Sequence, residues 1–141
     1  MSEKFKKFII EELELIKRFL NFHNYTITVE FVDKISGYKH IFGGNITAEM
    51  ELEDVYMEVV IYISKLEEEY YKDGDIQGVI EDLVHELVHV WITPIMNFTE
   101  KRLQPEYKKK DMELLDNLDE NTTQRITNVI CREYLKQRNE K

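Results

Sequence analysis

Cysteine is almost absent from this chain, with Cys131 standing alone among 141 residues. A single thiol excludes an internal disulfide and a thiolate metal site, and it suits a reducing compartment. Cationic charge is also scarce. The 19 basic side chains face 28 acidic ones, and the resulting net charge of −9 argues against a general affinity for nucleic acid or anionic membrane. A cationic or neutral partner is favoured instead. Long apolar runs are missing too, since Glu58 and His89 interrupt the longest of them, so no membrane span is expected. The charged start Met1 to Lys7 leads into Glu11, Glu12, Glu14 and Lys17, which is not the pattern of a signal peptide. These absences together predict a cytoplasmic protein. Internal repeats and low-complexity segments are not visible either.

A hydrophobic fraction of 43% over this length predicts one domain, residues 1–141, with a core large enough to need no staples. Phe5, Phe8, Ile9, Leu13, Ile16 and Leu20 recur at helical intervals, so residues 3–21 read as an amphipathic helix. From Tyr25 the period becomes two. Tyr25, Ile27, Val29 and Phe31 alternate with Thr26, Thr28 and Glu30, the mark of a half-buried strand. A turn at Ser36-Gly37 and a second strand over 38–48 are expected next, with Gly43-Gly44 as a bulge or kink. Residues 53–63 form the clearest strand, with Val55, Met57, Val59, Ile61 and Ile63 on one face. Lys65 to Asp75 reads as polar and turn-like, its Glu67-Glu68-Glu69 run as a solvated face, and Asp73-Gly74-Asp75 as a stop and a helix cap. A helix over 76–93 should end before Pro94, and a last helical stretch over 106–137 is expected with a possible break near Asn117 to Asn121. The expected class is α+β, with a small three-stranded, mostly antiparallel sheet.

The central helix carries His85-Glu86-Leu87-Val88-His89. Positions four apart share a helix face, so both imidazoles can reach one ion, and Glu86 falls beside any water on that ion as a general base must. The apolar stripe Val79, Ile80, Leu83, Val84, Leu87 and Trp91 lies on another side of the wheel, which makes His85 and His89 poor candidates for ordinary core residues. Zinc suits neutral imidazole, and a catalytic site takes three protein ligands and leaves a position for water. Two histidines therefore need a third ligand. His23 and His40 precede the motif, and a carboxylate from the last helix is the better source. Glu120 sits at the edge of a stripe continued by Thr123, Thr127, Ile130 and Tyr134, while Asp119 competes from nearer the middle of that stripe. The plainer role for Glu120 is a helix-start charge that complements the dipole.

The order of helix, three-stranded sheet, HExxH helix and Glu-bearing helix resembles the gluzincin branch of the zincin metallopeptidases, and most of all their minimal phage and bacterial forms. That resemblance implies His85, His89 and Glu120 as zinc ligands, Glu86 as the base that activates the bound water, and a peptide or protein substrate. Larger gluzincins often carry an acidic residue four positions after the third ligand, where this chain has Gln124, whose amide oxygen can still orient a histidine. Tyr107, Arg125, Tyr134 and His40 are each able to donate to an oxyanion. The strand at 53–63 is expected to offer a peptide an edge by β-augmentation. The competing expectation is a zincin-like module that binds zinc or a partner without turnover.

Overall fold

A computed structural model describes residues 1–35, 48–53, 58–100, 102 and 108–140. Helix α1 (Glu3–Phe19) starts where the Ser2 hydroxyl accepts the Phe5 N–H, and it buries Phe5, Ile9, Leu13 and Ile16 along one stripe. Its end is set by Asn21, whose φ of 59° places it in the left-handed region. There the Asn21 N–H donates to the Arg18 carbonyl and the Phe22 N–H to that of Lys17, which closes the last turn and swings Phe22 into the core.

Strands β1 (Thr26–Val32), β2 (Ala48–Glu53) and β3 (Glu58–Ser64) form one sheet in the order β1-β3-β2. β3 runs parallel to β1 and antiparallel to β2, so the sheet is mixed rather than mostly antiparallel. The reason lies in β3. Its Val59, Ile61 and Ile63 are fully buried, and the most apolar strand takes the centre, where both of its edges are paired. β3 therefore cannot be the edge that receives a peptide, as the sequence suggested; β1 and β2 hold that position among the described residues. The outward residues Thr26, Thr28 and Glu30 of β1 are exposed, in line with the alternation. The expected turn at 36–37, most of the expected strand over 38–48, and Val55 and Met57 fall outside the described residues.

The stretch expected to be turn-like is helix α2 (Lys65–Lys72). Tertiary contacts override its polar composition: Tyr71 stacks on Phe5 and Phe8 at ring separations of 5.4 and 4.9 Å, which fastens α2 to α1. Glu67 and Glu68 are buried, so the acidic run is not a solvated face. Glu68 accepts the Ser2 N–H at 2.7 Å and meets the Lys72 ammonium at 3.2 Å. Gly74, with a φ of 88°, ends α2 in the backbone region that favours glycine. Asp75 then caps the next helix by accepting the Gly78 N–H at 2.9 Å, as the sequence suggested.

That helix, α3 (Ile76–Glu100), runs through Pro94 instead of stopping before it. Proline removes one backbone bond at a cost of about 3 kcal/mol in a helix interior, but the turns before it are already fixed by buried Leu87, Val88, Val90 and Ile92. Beyond Pro94 the Thr99 hydroxyl donates to the Ile95 carbonyl, and the helix continues. Trp91, expected in the buried stripe, is 41% exposed and meets Phe22 edge-on. Helix α4 (Lys108–Asn139) packs along α3 and is continuous through 117–121. Glu120 therefore sits in mid-helix, far from any helix start. At its far end α4 is tied to α1, where buried Glu12 accepts the Tyr134 hydroxyl at 2.6 Å and both arms of the Arg138 fork at 3.2 and 3.3 Å. Among the described residues no helix is long and apolar enough to cross a membrane.

Candidate metal centre

The packing of α3 on α4 brings together two residues from one helix and two from the other. His85 and His89, one turn apart on α3, turn their Nε2 atoms towards each other at 3.2 Å, with the rings nearly perpendicular at 80°. Glu120 reaches across from α4 and divides its oxygens between them. Oε2 lies 3.4 Å from His85 Nε2, and Oε1 lies 3.4 Å from His89 Nε2. His85, His89 and Glu120 form a cluster able to hold a metal ion, with their ligand atoms all within 4.8 Å of one another.

These separations test whether an ion fits. An ion bound tetrahedrally at about 2.0–2.2 Å holds its ligands about 3.3–3.6 Å apart, because a tetrahedron's edge is about 1.6 times its radius. The 3.2 Å between the two Nε2 atoms is close to that spacing, while Glu120 offers a different oxygen to each imidazole at 3.4 Å, so its carboxylate spans the pair instead of closing a tetrahedral face with one atom. Each side chain is partly buried, with His85 and His89 at 16% and 12% exposure and Glu120 at 28%, so the cluster keeps some contact with solvent.

The electrostatics favour a positive charge at its centre. Burial alone would raise the Glu120 carboxyl, but hydrogen bonds from His85 and His89 outweigh it and hold the group well below the usual carboxylate range. Burial would likewise lower the pKa of His89, yet Asp119 and Glu120 overcome this and push it up to about 10. A proton or a metal cation satisfies the same demand. Glu86 shares this field. Burial raises its carboxyl to about 7, with Glu120 and Asp82 adding repulsion and the two imidazoles opposing it.

Asp119, the rival for the third ligand position, meets His89 from the opposite edge of the ring. Its Oδ1 lies 3.3 Å from Nδ1, and the Thr123 hydroxyl lies 3.3 Å from the same nitrogen. Gln124 plays no part in orienting a histidine; it is exposed and donates to Asn128. Consecutive residues on a helix are turned about 100° apart, so of the pair after Thr122 only Thr123 can share the face of Asp119, four positions before it. That i, i+4 relation was the signal available in the sequence. Of the suggested oxyanion donors, Arg125 is exposed and Tyr134 is committed to Glu12, while Tyr107 and His40 lie outside the described residues. His23 is exposed in the turn before β1 and is not part of the cluster. Comparisons of the chain with protein-family models, with curated proteins and with solved structures find no match.

Proposed function

We propose that the chain is a zinc-dependent metallopeptidase, with His85, His89 and Glu120 as zinc ligands and Glu86 as the general base. The observation that carries this reading is the cluster of two imidazoles and one carboxylate, with the two Nε2 atoms 3.2 Å apart, a Glu120 oxygen 3.4 Å from each, and Glu86 on the residue after His85. Two imidazoles and one carboxylate suit zinc and leave room for water. When bound, the ion supplies a Lewis acid for the scissile carbonyl and a water acidified to about pKa 7.

The chain's own residues do the rest. Glu86, next to His85 on α3, would take up a proton at its carboxylate and return it to the leaving amine. β2, an edge strand among the described residues that lies against α3, is the element from which an extended peptide would lengthen the sheet by main-chain pairing. The net charge of −9 favours cationic or neutral peptides over nucleic acid or anionic membrane, and the buried free thiol of Cys131 suits the cytoplasm.

Elemental analysis should find close to one zinc per chain, and His85→Ala or His89→Ala should remove it. Full zinc occupancy in both variants would rule out the site. Glu86→Gln should keep zinc and fold while abolishing peptide hydrolysis, since the amide retains shape without basicity. Equal turnover by that variant removes Glu86 from the chemistry, and zinc binding without turnover by the wild type leaves an inactive zinc-binding module.

A further inference from the structure

We infer that Asp119 and Thr123 are positioning residues that fix the tautomer and orientation of His89, so that its Nε2 lone pair faces the ion. This rests on the metal reading of the His85, His89 and Glu120 cluster, and it assigns to the rival carboxylate a different task from that of a ligand.

Hydrogen-bond capacity carries the inference. The Thr123 hydroxyl has one proton, and the Asp119 carboxylate is an acceptor only, so that proton goes to Asp119 Oδ1 at 3.2 Å. The Thr123 oxygen then has only lone pairs to offer His89 Nδ1 at 3.3 Å. Asp119 Oδ1 stands at 3.3 Å from the same nitrogen. Two acceptors facing one ring nitrogen require a proton on it. A neutral imidazole with its proton on Nδ1 has its lone pair on Nε2, the atom 3.2 Å from His85 Nε2 and 3.4 Å from Glu120 Oε1.

The arrangement is also rigid. Thr123 is fully buried, and Asp119 and Thr123 are one turn apart on α4, so the hydroxyl braces the carboxylate from the helix that supplies Glu120. One helix thus provides both a ligand and the brace for a ligand on its neighbour. Carboxylates that accept from a metal-bound histidine raise its basicity, and losing one typically weakens the metal by about 10- to 100-fold.

The test is competitive zinc titration against a chelator, with cobalt(II) substitution, on the wild type and on Asp119→Ala, Asp119→Asn, Thr123→Val and Glu120→Ala. Circular dichroism and urea denaturation confirm that each variant is folded. Asp119→Ala should weaken zinc by about 10- to 100-fold. Asp119→Asn should lose less, because its amide oxygen still accepts from Nδ1. Thr123→Val, of nearly the same shape, should weaken zinc although it touches no ligand atom of the ion. The visible bands of cobalt should persist in these three variants, since all three donors remain, and should change in Glu120→Ala. Zinc affinity of Asp119→Ala within twofold of the wild type overturns the positioning role while leaving the metal site intact. Loss of the cobalt bands in Asp119→Ala but not in Glu120→Ala also overturns it and makes Asp119 the ligand. A wild type that binds neither ion defeats the metal reading and this inference with it.

Discussion

Two neighbouring carboxylates meet different edges of the histidines because a helix turns about 100° per residue. Glu120 faces the Nε2 edges of both histidines, whereas Asp119 reaches the Nδ1 edge of one. A buried acid elsewhere, Glu12, shows the structural use of the same group. It accepts a phenol and a guanidinium fork, and its hydrogen bond and charge raise the Tyr134 hydroxyl's pKa beyond what burial alone does. Tyr134 is thereby a brace between α1 and α4. Tyr134→Phe should cost about 1.5–3 kcal/mol, the worth of a buried hydrogen bond to a charged acceptor. Urea denaturation measures the loss, and peptide hydrolysis under native conditions should be unchanged. Unaltered stability together with lost turnover would return Tyr134 to the chemistry.

Helix α3 is the element on which the site depends, and its start is fixed by one side chain. Asp75 accepts the Gly78 N–H, and the Val79 N–H bonds the Asp75 carbonyl, so the first turn is closed two turns before His85. Asp75→Ala should destabilise the protein by about 1 kcal/mol, the ordinary loss for a helix cap. Zinc affinity should not follow, because the buried face from Val79 to Val90 holds the histidines in place. Gly78→Ala tests the same turn from the other side. A methyl there meets the Asp75 carboxylate, so the gain of about 1 kcal/mol in helix propensity is offset by displacement of the cap. Thermal denaturation of the two variants checks both expectations: a clear stabilisation by Gly78→Ala would show that the cap contributes little.

Across the whole molecule, α1 is joined to α2 through Ser2 and Glu68, and that contact should be sensitive to acid. The Ser2 side chain and N–H hold the Glu68 carboxyl down to about 2 from an ordinary 4.5, with Lys72 adding to the effect. A carboxylate whose pKa is depressed on folding stabilises the fold above its unfolded value and ceases to do so as pH falls. The contribution is therefore complete above about pH 4.5 and drains away towards pH 2. Wild type and Glu68→Gln should differ in melting temperature at pH 5 and converge as pH approaches 2. A gap that stays constant over that range would mean that Glu68 acts through packing and not through charge.

What the sequence determined by itself was whatever depends on periodicity and local chemistry. The 3.6-residue stripe of α1, the two-residue alternation of β1 and β3, the Asp75 cap and the shared face of His85 and His89 all follow from spacing along one element. Choosing Glu120 as the partner of that pair was also within reach, because a stripe on α4 names the face that must meet α3. Tertiary structure decided the rest. Strand order depends on which strand best tolerates burial on both sides, and that ranking placed β3 between β1 and β2. The helical state of residues 65–72 depends on Tyr71 packing against Phe5 and Phe8, some sixty residues away in the chain. The persistence of α3 beyond Pro94 rests on packing that outweighs a local penalty. The division of labour between Asp119 and Glu120 is of the same kind: spacing puts both near the histidines, but which edge of an imidazole each one meets is set by the rotation of one packed helix against another, and no single-helix pattern contains that angle.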